Sequence, residues 1–297
     1  MTLTTDFGLA DNFVGVMKGV IDSIAPEARV VDLSHAVPPQ DVRSGAFVLA
    51  TGYEVFPEGT VHVAVVDPGV GSARRAIALA AGGYRWVAPD NGLLGYALAA
   101  LAACGQLGGR WDDGWWLLGD DAQAVELTES RYWRPTVSQT FHGRDIFSPV
   151  AAHLACGVPL DALGPRIDRV QALAMPRPAR TEHGWRGEVI YVDRFGNLIT
   201  NLSMSELGGT NLAWDIVVAG PQRRPRGKKR RPMGDLPDWT AVINGLRSSY
   251  AEISNLGALI GSAGFLEIAE PNGSAAKLLA VEIGRIVDAY PRGTTWD

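Results

Sequence analysis

Residues 1–34 read MTLTTDFGLADNFVGVMKGVIDSIAPEARVVDLS. A short β-branched run (residues 1–5) gives way to a segment with apolar residues at helical spacing (11–24), and a second apolar run follows at 29–33. Strand, helix, strand in that order is the signature of a βαβ unit with parallel strands. The alternation continues through residues 42–55 and the apolar run at 60–66. Further runs at 76–80 and 85–88 precede a helical segment over 93–104, and another helix is predicted over 145–156. Residues 1–180 therefore read as one α/β domain with a mostly parallel sheet.

Residues 175–186 (MPRPARTEHGWR) are polar, hold two prolines and lack periodicity, which marks a linker. Beyond it the stretches 187–192, 197–202, 214–219, 241–246, 258–260, 265–269 and 277–283 are short, strand-like and broken by Gly, Asn and Pro. That pattern predicts an all-β sandwich or barrel over residues 187–297. One block departs from the composition, QRRPRGKKRRP at 222–232. Proline, glycine and like-charge repulsion all resist packing there, so it reads as a solvated loop, with an anionic partner as the alternative.

Of 297 residues, 46% are hydrophobic and 20% charged, outside the range in which a chain stays disordered. The net charge of −5 provides no global positive field for a phosphate backbone, so a dedicated nucleic-acid binder is disfavoured. Cys104 and Cys156 are too few for a disulfide framework and lack zinc-site spacing, which suits a reducing cytoplasm. The first residues carry no basic segment followed by an apolar one, and no apolar run approaches membrane-spanning length.

Open parallel sheets bind ligands beyond the carboxyl ends of their strands. At those ends stand Asp6, the Ser34-His35 pair, Asp67 and the Asp90-Asn91 pair. Each alone is explained by a turn or cap, while four together suggest a functional rim. The turn DPGVGSARR (67–75) brings an acid, Asp67, close to the guanidinium groups of Arg74 and Arg75, and lacks the GK[ST] ending of a P-loop. In TFHGRDIFSP (140–149), His142 and Arg144 stand at a helix entrance that Asp145 is placed to cap. No HExxH, GxSxG or CxxC spacing is present, so neither a metal site nor a covalent hydrolase is indicated. DRFGN (193–197) reads first as a hairpin turn whose Asp193 and Asn197 can also reach a ligand.

Six segments in order then carry a resemblance: LTTDFG with VGVMKG (3–8, 14–19), VDPGVGSARR (66–75), PDNG (89–92), TFHGRDIFSP (140–149), DRFGNLITN (193–201) and GFLEIA (264–269). The chain resembles the S-adenosyl-L-methionine hydroxide adenosyltransferase family, which is related to fluorinase and chlorinase. The resemblance implies an amino-terminal α/β domain and a carboxy-terminal β-barrel. It also implies a homotrimer with sites between the amino-terminal domain of one subunit and the carboxy-terminal domain of its neighbour. The implied reaction is attack of water on C5′ of S-adenosylmethionine, releasing adenosine and L-methionine, with no cofactor. By motif, Asp67, Arg74 and His142 activate the water. Asp6 holds the ribose hydroxyls, with Phe141 and Gly143 backbone lining the ribose side. Asp193 holds the methionine ammonium, Asn197 the adenine edge and Ser262 the methionine carboxylate. In the halide-using branch a tyrosine stands at the position of Asp67 and Tyr-Ser replaces the His142-Gly143 pair, and the fluorinase carries an insertion after the glycine turn, where here residues 76–88 run directly into PDNG; both differences favour water here. Halide transfer on the same scaffold and non-catalytic sensing of S-adenosylmethionine are the alternatives.

Overall fold

The structure, a computed structural model, describes residues 1–208, 214–219 and 241–292. The basic block at 222–232 lies outside the described residues. The chain divides into two compact units, Met1–Ala174 and Met175–Asp297.

In the first unit, β1 (Thr2–Thr5), β2 (Val31–Ser34) and β3 (Val61–Val65) alternate with helices α1 (Phe13–Ile24) and α2 (Val42–Ala50). After β3 come β4 (Ala76–Ala81), β5 (Tyr84–Pro89), α3 (Gly95–Ala103), β6 (Gly109–Asp112), β7 (Trp115–Leu118) and β8 (Gln123–Glu126). The unit ends with α4 (Ser148–Ala155), β9 (Arg166–Ile167) and β10 (Arg169–Gln171). The main sheet runs β2-β1-β3-β5-β4-β8-β9. Its first four strands are parallel, as expected, and its last three antiparallel. The change of direction has a local cause: β4 and β5 are joined by Gly82-Gly83 alone, both at positive φ, a two-residue turn that permits only a hairpin.

β1 and β3 are buried along their whole length, because helices cover both faces of the parallel half. Helix α1 presents Val14, Met17 and Ile21 to the core on one stripe. α4 packs beside α1 on that face, while α2 and α3 pack together. The side chain of Asp41 caps α2, accepting the Ser44 N–H at 3.0 Å. Leu3, Met17, Ile21, Val63 and Phe147 form the centre of the core under the α1–α4 layer. β6, β7 and β10 make a separate small sheet.

The second unit comprises β11 (Ala179–Arg180), β12 (Trp185–Val192), β13 (Leu198–Ser203), β14 (Trp214–Val218), β15 (Ala241–Asn244) and β16 (Leu246–Arg247). It continues with β17 (Gly257–Ile260), β18 (Phe265–Ala269), α5 (Ala275–Leu279) and β19 (Ile286–Pro291). The path β15-β14-β19-β12-β13-β18-β17-β16 has β15 packed against β17, so the sheet is a nearly closed barrel, as expected. The strand expected over 277–283 is absent. Ser274 caps α5 by accepting the Lys277 N–H at 3.2 Å, and the last strand lies further on, in β19. Among the described residues no helix is long and apolar enough to cross a membrane.

Candidate active site

Thr5 of β1 pairs in register with Val65 of β3, so Asp6 and Asp67 leave neighbouring strands at one edge of the sheet. The β1-to-β2 connection runs on one side of β1 and the β2-to-β3 connection returns across it, which makes this edge the switch point of the parallel half. Asp6 accepts the Gln40 N–H at 2.7 Å.

The turn at 67–75 folds back so that Arg74 meets the residue that opens it. Arg74 Nε donates to both oxygens of Asp67, at 3.0 and 3.1 Å, and its Nη2 also contacts Oδ2. The same Nη2 lies 2.8 Å from His142 Nδ1. Asp67, Arg74 and His142 are thus one bonded chain. A guanidinium carries only donors, so Nδ1 must be the accepting nitrogen and the imidazole proton resides on Nε2. Burial first, and then the neighbouring Arg74 charge, lowers the His142 pKa below its ordinary 6.5, against the opposing pull of Asp67 and Asp145. The ring is neutral near pH 7, with Nε2–H available as a donor.

Gly71 makes this meeting possible. Its φ is +78°, and a Cβ there would stand 2.5 Å from the Gln139 carbonyl oxygen, in the segment that leads into His142. Gly71→Ala should cost at least about 1–2 kcal/mol in backbone strain alone. It should also separate Arg74 from His142, so turnover should fall along with the melting temperature in a thermal-shift assay.

Beside the trio, Phe7, Phe13 and Phe141 meet edge to face or tilted, with ring centroids 5.2–5.8 Å apart. Gly143 lies beneath them; a Cβ there would press on Phe141, Met17 and Phe7 at 3.2–3.3 Å. The Arg74 guanidinium lies 5.3 Å from the centre of the Phe147 ring. The sequence pointed to Phe141 and Gly143 but not to Phe7 or Phe13, since aromatic residues near a strand end read first as core.

Several rim candidates turn out to be braces. Arg75 does not share Asp67; its Nε donates to Asp90 at 2.8 Å, and Gln171 N–H donates to the other Asp90 oxygen at 2.6 Å. Burial raises the Asp90 pKa, with Arg75 opposing. Asn91 donates from Nδ2 to the Val66 carbonyl at 2.8 Å, fixing the residue before Asp67. His35 is buried, with Nδ1 2.8 Å from Thr5 Oγ1 and Nε2 3.0 Å from Asp32. Asp145 does not cap a helix: it lies inside a π-helical turn, Gly143–Phe147, and its carboxylate reaches back to Ser138 N–H and two arginines.

In the second unit, Asp193 and Asn197 come together in the β12–β13 turn. Asp193 Oδ1 accepts the N–H groups of Phe195 (2.9 Å) and Asn197 (2.8 Å), and Oδ2 accepts Asn197 Nδ2 (2.9 Å). Ser262 is exposed on the separate β17–β18 turn, which Gly261 closes by donating to Phe265 O at 2.9 Å. Glu267 accepts from the Tyr250 hydroxyl. Burial raises its pKa with help from the Asp193 charge, and the Tyr250 bond opposes that rise. Among the described residues no group of three or more His, Cys, Asp or Glu is placed to hold a metal ion.

The sequence matches the family models for the SAM hydroxide adenosyltransferase N-terminal domain over residues 1–164 and its C-terminal domain over residues 187–288. The chain belongs to the SAM hydroxide adenosyltransferase family. A (R)-S-adenosyl-L-methionine hydrolase from Thermus thermophilus is 41% identical to it, over 94% of this chain and 95% of its own. A protein of the same name from Salinispora arenicola is also 41% identical, over 96% and 95%. More distant is a fluorinase from Actinoplanes sp., 29% identical over 72% and 75%. A crystal structure of an uncharacterized conserved protein from Thermotoga maritima superposes with a TM-score of 0.77 at 32% identity, covering 97% of this chain and 99% of that one. In this adenosyltransferase-family chain, Asp6, Asp67, Arg74, Phe141, His142 and Gly143 lie in the N-terminal match, and Asp193, Asn197 and Ser262 in the C-terminal match.

Proposed function

We propose that this chain hydrolyses S-adenosyl-L-methionine to adenosine and L-methionine by in-line attack of water on C5′. The observation that carries the reading is the bonded chain Asp67–Arg74–His142 at the switch-point edge. The substrate sulfonium already makes methionine a good leaving group, so what a catalyst must supply is an oriented and activated water. In this reading His142 offers it an Nε2–H donor, and Asp67 accepts its proton as the C5′–O bond forms and the C5′–S bond breaks. Arg74 holds both in place. The chemistry calls for no cofactor, because bond polarisation comes from the sulfonium itself.

Cation and hydroxide-like nucleophile neutralise each other in the transition state, so the aromatic cluster of Phe7, Phe13 and Phe141 favours reaction by displacing water once substrate covers it. A carboxylate about 4 Å from the sulfonium would attract it by about 4 kcal/mol at an effective dielectric of 20. That attraction is lost as the charge disappears, so it would hold back the substrate. Asp6 is therefore assigned to the ribose hydroxyls and Asp193 to the methionine ammonium, away from sulfur, with Asn197 at the adenine edge and Ser262 at the methionine carboxylate. The assembly proposed is a homotrimer in which a neighbouring copy supplies the last three. Light scattering should return the mass of three chains; a monomer would remove the shared-site arrangement. The two free, exposed cysteines, Cys104 and Cys156, suit a reducing, cytoplasmic setting.

The relatives' shared name specifies the R epimer at sulfur, and we extend that preference to this chain. Purified protein incubated with each sulfonium epimer, with and without chloride, should give adenosine and methionine, faster from the R epimer. A 5′-chloro nucleoside would support halide transfer instead, and intact bound substrate a sensor. Protonating His142 would set an N–H donor against Arg74 and break the chain of bonds. Activity should therefore be full at neutral pH and fall only once the pH is below 6.5, given the lowered His142 pKa. A pH profile of kcat/KM with its acid limb above 6.5 would contradict this role.

A further inference from the structure

We propose that Asp145 is a positioning residue of the hydrolase: it fixes the segment that carries Phe141 and His142, so its loss slows the chemical step far more than it weakens substrate binding. The inference rests on the hydrolytic reading of the same site.

The Asp145 side chain is fully buried, and each of its polar groups is engaged by the segment that precedes it. Arg144 donates from Nε to Oδ1 at 2.7 Å and from Nη2 to Oδ2 at 2.9 Å. Arg134 donates from Nη1 to Oδ1 at 3.1 Å, and Ser138 from its backbone N–H to Oδ2 at 2.9 Å. The Asp145 carbonyl accepts the Arg134 N–H at 2.9 Å, and its own N–H donates to the Phe141 carbonyl at 3.2 Å. Residues 134–144 thus form a loop whose start, middle and end are tied to a single residue. Phe141 is gripped twice, since the Arg144 guanidinium that Asp145 orients also lies 5.2 Å from the centre of the Phe141 ring.

Burial alone would push this carboxyl up, yet the Arg144, Ser138 and Arg134 hydrogen bonds outweigh it and hold the group below the usual carboxylate range. The anchor is therefore charged whenever the enzyme works. It sits in a π-helical turn directly after His142, a geometry common at functional sites. The charged groups acting on His142 are Arg74 and Asp67 across from it and Asp145 on its own turn.

Asp145→Asn keeps the volume, removes the charge and replaces one oxygen acceptor with a donor that faces an arginine or the Ser138 N–H. A displacement of His142 by about 1 Å should lower kcat by about 10²-fold while KM for S-adenosylmethionine changes little. Independently of turnover, the His142 imidazole signal in nitrogen-15 histidine-labelled protein should titrate at lower pH in the variant, because an anion favouring the imidazolium is gone. Wild-type kcat, a loss confined to KM, or an unmoved His142 titration would overturn the assignment. Should Asp145→Asn fail to fold, Arg134→Gln removes one contact from a half-exposed partner. It should then lower kcat several-fold at constant KM, and unchanged kcat would overturn the proposal equally. Wild-type protein run alongside separates the two readings. No product from it defeats the hydrolase assignment while the imidazole titration still tests the role of Asp145; normal wild-type turnover with an undiminished variant defeats the positioning role alone.

Discussion

Replacing Asp67 or His142 by alanine is expected to lower turnover of S-adenosylmethionine by about 10²–10⁴-fold, the range for removing a positioned proton-transfer group. Adenosine should still bind, since neither residue is assigned to the ribose or the purine. In Asp67→Ala the acceptor for the water proton is lost, while Arg74 keeps its bond to His142. In His142→Ala the Nε2–H donor is lost, while the Asp67–Arg74 pair survives. Because the three act as a unit, the double variant should be scarcely worse than either single one. Stopped-time chromatography for kcat, with calorimetry for adenosine, distinguishes this from loss of binding. Unchanged kcat in both single variants would remove the trio from the mechanism.

Arg74→Met should have the largest effect on the folded state. The Arg74 and Asp67 side chains are 10% and 5% exposed, so the variant strands a buried carboxylate without its partner. Breaking one side of a buried pair costs about 3–5 kcal/mol. For a unit of this size that corresponds to a melting temperature lower by on the order of 10 °C. Turnover should be abolished as well, because His142 loses the donor that fixes its tautomer. Converting the stranded acid with Asp67→Asn in the same chain should restore much of the stability and none of the activity. A single variant that melts within about 2 °C of wild type would show that the pair contributes little to stability.

The βαβ opening was legible because its elements differ in period, strand runs of five residues set against a helical stripe, and tertiary packing agrees with local preference. The Asp193 turn was legible for a related reason: Asp and Asn side chains satisfy their own backbone, and the structure shows them doing so. The antiparallel half of the sheet was encoded in Gly82-Gly83, but an alternation reading passes over a two-residue turn. Asp113-Gly114, both at positive φ between β6 and β7, was another such signal, in a stretch where apolar period alone indicates nothing.

Within the first unit, the motifs at 66–75 and 140–149 hold the residues that meet, but the sequence does not say how they divide the contacts. Arg74 and Arg75 are neighbours of the same type, and only the direction of β4 sends one to Asp67 and the other to Asp90. Asp145 looked like a cap because acids favour helix entrances, whereas in the structure tertiary arginines and a buried position override that preference.

Oxygen-18 water tests the central claim most directly. Purified protein turning over S-adenosylmethionine in labelled water should place one labelled oxygen on the adenosine 5′-hydroxyl and none in methionine, as mass spectrometry of both products would read. Unlabelled adenosine, label in methionine, or a product without a 5′-oxygen would contradict attack of an activated water on C5′.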